Sequence, residues 1–140
     1  MISNKKMIRE TLHTRARNEI LDLTPLVQRM VGSAEMQNGM VIIFSPHTTA
    51  GITINENADP DVKQDLLTKL SKLVPQSEDY YEHAEGNSDS HVKTACVGNS
   101  TTVLVEGGKV MLGRWQGIYL CEFDGPRERQ VWFKLVGFDE

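Results

Sequence analysis

Apolar and polar positions follow two different periods along this chain, and each period predicts its own kind of element. "KKMIRETL", residues 5–12, alternates Ile8, Glu10 and Leu12 against Met7, Arg9 and Thr11, which predicts a first strand that "RNEILDL" extends or re-pairs. Thr24-Pro25 predicts a helix start: Thr can cap, and Pro at the first helical position gives up only an N–H that would lack a partner anyway. Leu26, Val27, Met30 and Val31 then form a short apolar face. Gly39 opens "MVIIFSP", a buried strand ending at Pro46, and "GITIN" predicts another with Ile52 and Ile54 on one side and Thr53 and Asn55 on the other. The clearest element is "DPDVKQDLLTKLSKLVP". Asp59 caps, Pro60 starts, and Val62, Leu66, Leu67, Leu70, Leu73 and Val74 make one stripe at helical spacing until Pro75. That helix is expected to be scaffold.

The second half changes character. "QSEDYYEHAEGNSDSHVK" is polar throughout and reads as a loop of a length that usually carries function. "HVKTACV" fits a short helix or a strand, and its periodicity does not decide. "TTVLVEGGKV" predicts a strand, a Gly-Gly turn and a second strand, while "GRWQGIYLCEFD" and "RQVWFKLVGF" predict two closing strands around "GPRE". Helices are few and early, strands dominate later, and no βαβ repeat occurs. The expected class is α+β with a mainly antiparallel sheet and a few packed helices, in one domain spanning 1–140.

Composition narrows the function classes. Fifteen basic residues against nineteen acidic ones give a net charge of −4, which argues against the broad basic face of a nucleic-acid binder. No apolar run reaches 18 residues and no signal-peptide pattern opens the chain, so a cytoplasmic protein without membrane association is expected. Cys96 and Cys121 form no CxxC pair and read as small buried thiols in reduced form.

Three polar clusters carry candidate chemistry. "FSPHTTAGITINENADPD" places His47, Thr48 and Thr49 directly after an apolar run, with Asn55 and Glu56 returning beneath them. "EHAEGNSDSH" supplies His83, Glu85, Asn87, Ser88, Asp89, Ser90 and His91 beside a Gly able to take positive φ, a composition suited to a metal or to a phosphate wrapped by backbone N–H groups. Neutral imidazole is the commonest metal-ligand side chain, although the His83–His91 spacing matches no metal motif and each His can equally satisfy a loop hydrogen bond. In "LGRWQGIYLCEFDGPRER", Arg114 offers a fork for phosphate, Trp115 a stacking plane and Gln116 a carboxamide. His13, Arg127 and Arg129 are expected on the surface. No serine nucleophile elbow and no adjacent Cys-His pair support covalent catalysis.

Together, "PHTTAGITINENADPDV", "EHAEG…SHVK" and "LGRWQGIYLCEFDGPR" resemble the YjbQ family, the secondary thiamine-phosphate synthase family, over nearly the whole chain. The resemblance implies an antiparallel α+β fold assembled as a homotrimer with sites near subunit contacts. It also implies a divalent metal, zinc, at His47, His83 and His91. The family commonly carries Thr where this chain has Arg114. On this basis the expected function is a metal-dependent enzyme acting on a small phosphorylated metabolite, with weak thiamine-phosphate synthase (transferase) activity. Glu85 and Arg114 are its candidate catalytic residues, and Thr48, Thr49, Asn55, Trp115 and Gln116 its candidate ligand-binding residues. The alternative is a non-catalytic metal- or anion-binding homotrimeric module.

Overall fold

Strand β9 (Glu128–Phe138) is the spine of the larger sheet. A computed structural model describes residues 2–4 and 7–138. In it β1 (Ile2–Asn4) and β2 (Ile8–His13) pair with successive stretches of β9, and β4 (Gly39–Phe44) pairs with it as well. β6 (Ser100–Glu106) and β7 (Lys109–Met111) continue the order β1-β9-β4-β6-β7. A smaller sheet runs β3 (Glu19–Asp22), β8 (Gln116–Glu122), β5 (Ala50–Glu56). Among the described residues every pairing is antiparallel, and with the three helices there the class is α+β, as expected.

The alternation seen in the sequence sorts the two faces. Val41 and Ile43 of β4, Val103 and Val105 of β6, and Val131, Phe133 and Leu135 of β9 point inward. They meet Ile52, Ile118 and Leu120 of the smaller sheet in one cluster. Helix α1 (Thr24–Ser33) closes it with Val27, Met30 and Val31. Thr24 is not the cap of α1. It is already helical, and its Oγ1 accepts from Ile118 N at 2.9 Å, tying the helix start to β8. Gly107 and Gly108 both take positive φ in the β6–β7 turn, the conformation that a two-residue hairpin favours.

Helix α2 (Pro60–Leu73) begins as expected, with Asp59 Oδ1 accepting from Asp61 N at 2.9 Å. Its apolar stripe, however, is only half covered: Val62, Leu66, Leu67 and Leu70 are half-buried, no residue of α2 is fully buried, and Leu73 is 64% exposed. "HVKTACV" belongs to a helix, α3 (Ser88–Val97). Its buried face consists of Asp89, Ser90, Lys93 and Thr94, all polar, so no hydrophobic period could have announced it. Among the described residues no helix is long and apolar enough to cross a membrane. Cys121 is buried, its thiol pushed up to about 12 by desolvation, whereas Cys96 is exposed, contrary to expectation, and both are unpaired.

Candidate functional site

Residues 45–49 carry the chain from the larger sheet to the smaller, and this crossing sets His47 in place. Buried Ser45 anchors it: its Oγ donates to Ala50 O at 2.7 Å and accepts from His47 N at 3.3 Å. Helix α3 closes from the other side. A Cβ on Gly51 would stand 2.5 Å from Gly98 O, so only glycine lets the end of α3 approach β5 and receive Ile52 N on Gly98 O at 2.9 Å.

Two cavities open where these elements meet, and His47, Thr48 and His91 line both. The first, about 300 Å³, is polar and adds Thr49, Glu85, Asn87, Asp124, Arg127 and Arg129. The second, about 280 Å³, runs along α3 past Thr94, Ala95 and Gly98. Among the described residues no Phe, Tyr or Trp lines either one.

The floor of the first cavity is a buried ion pair. Glu122 accepts from Arg129 through Nε at 2.8 Å and through Nη2, from Thr14 Oγ1 at 2.8 Å and from Asp124 N at 3.0 Å. Burial pushes the Glu122 carboxyl up, but Arg129, the Asp124 N–H and Thr14 together hold it below the ordinary carboxylate value. Arg129 also donates to Thr49 Oγ1 at 2.8 Å. The expectation of a surface position for Arg129 therefore fails, while Arg127 is exposed and bonded to Asp124 at 2.9 Å. A sequence signal for both buried residues did exist. Arg129 continues the inward series Val131, Phe133, Leu135 by period two, and Glu122 ends β8 directly after the apolar run Ile118–Cys121, in phase with Ile118 and Leu120.

His47 sits between β9 and the cavity. Its Nε2 accepts from Gln130 N at 2.9 Å, so the neutral ring carries its proton on Nδ1. Burial first, then the nearby Arg129, lowers its pKa, which keeps the ring neutral at pH 7. As placed, His47 offers the cavity a donor and not a metal lone pair. His83 and His91 fit an ion better. Their rings lie 5.3 Å apart at 85°. Two imidazoles sharing a tetrahedral zinc at about 2.0–2.1 Å would have centres roughly 5 Å apart. Glu85 stands beside them, its Oε2 3.7 Å from His83 Nε2. Among the described residues no set of three His, Cys, Asp or Glu side chains surrounds one point, and His83 lines neither cavity. Asp89 is engaged elsewhere, accepting from Arg17 at 3.1 Å and Lys93 at 3.0 Å beneath α3.

The third cluster stands apart. Asn55 pairs with Gly117 at the opposite end of β5 from Ala50, about 16 Å along the strand. Asn55 does not return beneath His47 in the same chain. Its Oδ1 accepts from Glu56 N at 2.7 Å, and Gln116 Oε1 accepts from Gly113 N at 2.8 Å. Arg114 stacks on Trp115 at 4.6 Å in an exposed turn, and Trp115 is 53% exposed. Within one chain, Arg114, Trp115, Gln116 and Asn55 do not share a cavity with His47. Glu85, Thr48 and Thr49 do.

A family model described as UPF0047 protein YjbQ-like matches residues 9–138. The UPF0047 protein of Methanocaldococcus jannaschii is 44% identical over 98% of this chain and 99% of its own length. The Bacillus subtilis protein YugU is 47% identical over 90% of this chain and 96% of its own. Among solved structures, an uncharacterized YjbQ/UPF0047 protein from Clostridium acetobutylicum is similar with a TM-score of 0.89 and 49% identity, covering 91% of this chain and 98% of that one. A Sulfolobus solfataricus protein of unknown function is similar with a TM-score of 0.91 and 29% identity, covering 99% of this chain and all of that one.

Proposed function

This chain belongs to the UPF0047 protein YjbQ-like family, and we propose that it acts on a small phosphorylated metabolite bound in the polar cavity beside His47. One observation carries the proposal. The 45–49 crossing, the start of α3 and the β8–β9 turn deliver neutral and charged hydrogen-bonding groups to one cavity over a buried ion pair. Arg127 and the Nδ1–H of His47 are the groups that receive phosphate oxygens, as charge-assisted and neutral donors respectively. Glu85 is the acid-base candidate on the same wall.

The proposal includes a divalent cation. His83 and His91, with Glu85 beside them, would hold it, and zinc there would supply Lewis-acid polarisation of a phosphoryl oxygen. His47 stays outside that ligand set while its Nε2 is bonded to Gln130. Thiamine-phosphate synthesis draws no support from this cavity: a pyrimidine needs a stacking wall, and Trp115 stands at the far end of β5.

Assembly as a homotrimer is part of the same reading. The half-covered stripe of α2, with Leu73 exposed at its end, together with exposed Leu104 and Met111 at the edge of the larger sheet, supports burial against other copies.

Calorimetric titration with inorganic phosphate tests the core of this reading. Binding by the native protein and at least tenfold weaker binding by Arg127→Ala are expected, and equal affinity in both would refute it.

A further inference from the structure

A guanidinium carries five N–H donors. In Arg129, Nε donates to Glu122 Oε1 at 2.8 Å, and Nη2 donates to Glu122 Oε2 and to Thr49 Oγ1, the latter at 2.8 Å. Nη1, with its two N–H groups, bonds to no described residue. It is not sealed in either. Among the described residues, the side-chain atoms closed to solvent without a partner are Asn18 Oδ1, Asn87 Oδ1 and Thr94 Oγ1, so Nη1 is reached from outside. The Arg129 side chain is only 3% exposed, and the cavity it lines is the polar one beside His47. Its open nitrogen is therefore the charge presented at the floor of that cavity.

Arg127 repeats the arrangement at the rim. Its Nε donates to Asp124 O at 2.8 Å and its Nη2 to Asp124 Oδ2 at 2.9 Å, and its Nη1 also bonds to no described residue. Both arginines line the same cavity, each held on its Nε–Nη2 side with Nη1 left over. They differ in preorganisation. The Arg127 side chain is about half exposed, whereas Arg129 is fixed by Glu122, by Thr49 and by burial. An anion meeting Arg129 has no side chain left to order, and its bond forms where low dielectric strengthens a charge-assisted contact.

We infer that Arg129 is the anion contact at the floor of the polar cavity, giving Nη1–H to a terminal phosphate oxygen, with Glu122 behind it as the counter-charge that sets how tightly the anion is held. The inference rests on the phosphorylated-metabolite reading above and adds a binding residue to it. Glu122 occupies the Nε–Nη2 side of the guanidinium, so the buried pair is a dipole whose positive end faces the cavity. The carboxylate lets Arg129 stay buried without a ligand and at the same time weakens its pull on an anion. Two opposite consequences follow. Removing the Glu122 charge alone strengthens anion binding. Removing Glu122 and Arg129 together leaves the net charge unchanged and weakens it.

The test titrates the protein with inorganic phosphate in a calorimeter, as wild type, as Glu122→Gln and as the double variant Glu122→Leu with Arg129→Met, after a thermal melt of each. The wild type is expected to bind, and the double variant to bind about tenfold or more weakly, having lost a hydrogen bond from a charged donor. Glu122→Gln should bind phosphate severalfold more tightly than wild type, because its Arg129 lacks a counter-charge. Phosphate should also raise the melting temperature of Glu122→Gln by more than it raises that of wild type. An Arg129 that serves only the fold gives neither gain. Equal affinity in the double variant and wild type would overturn the assignment of Arg129 while the phosphate reading stands, and so would a Glu122→Gln affinity no higher than wild type. No binding of phosphate by the wild type would overturn both. If the double variant fails to fold, the Glu122→Gln comparison decides by itself.

Discussion

Replacing Glu122 by Gln removes one charge and almost nothing else. The carboxylate is buried, accepts two hydrogen bonds from Arg129, and takes one each from Thr14 and the Asp124 backbone. Gln keeps the shape and one acceptor oxygen. Its NH2, however, faces donors that already point at that position, and the Arg129 guanidinium is left charged and buried. Breaking a buried pair by removing one partner costs about 3–5 kcal/mol, chiefly through the charge left behind. For a chain of this size that corresponds to a fall in melting temperature of roughly 10–15 °C. Urea unfolding followed by tryptophan fluorescence, at fixed protein concentration, measures the loss directly. Substituting both partners, Glu122→Leu with Arg129→Met, should recover much of it, because no unpaired charge remains. A loss below about 1 kcal/mol for Glu122→Gln would refute the reasoning, since only an exposed pair is that weak.

Three further outcomes are expected. Folded His47 has a pKa below its ordinary 6.5, so the unfolded chain binds the proton first, and stability should decline as pH falls through about 6.5. His47→Gln, which can still accept from Gln130 N, should flatten that limb of a urea-midpoint profile. The loss at lower pH should remain, as Glu122 and Asp89 protonate through their lowered pKa values. Gly51→Ala should cost about 1–3 kcal/mol, because its Cβ would meet backbone of the α3 end at 2.5 Å, and reduced thermal stability with weakened phosphate binding checks this. Light scattering should give three times the 15.7 kDa chain mass at micromolar concentration, and a monomer under those conditions would exclude the trimer.

How much of this was legible in the sequence follows from which signal each element carries. β4, β5, the β6–β7 hairpin and β9 announce themselves as short apolar runs rich in Val and Ile, bounded by Gly, Pro or polar turn residues. α2 is equally plain, yet its stripe says only that something covers it, and within the chain the stripe is no more than half-buried. α3 stayed ambiguous because it buries Asp89, Lys93 and Thr94 in place of leucines. His47, Thr48 and Thr49 stood out in the sequence because a turn needs none of them, whereas Glu85 and His91 became candidates through the resemblance to the YjbQ family; all five line the polar cavity. The link between Glu122 and Arg129 was not. It joins facing positions across the β8–β9 turn, and each charge alone looks like a surface residue until its strand phase is counted. Arg114 and Trp115 share a motif with β8 but lie in the turn before it, so adjacency in sequence did not become adjacency to His47.

The four histidines allow one spectrum to test the central claim, that His47, His83 and His91 serve a single phosphate-and-cation site. Side-chain nitrogen NMR of the native protein should show His47 as the neutral Nδ1–H tautomer. Zinc added stoichiometrically should shift His83 and His91, inorganic phosphate should then shift His47, and exposed His13 should not respond to either. Shifts confined to His13, or no response from His47 to phosphate and from His83 and His91 to zinc, would contradict the site.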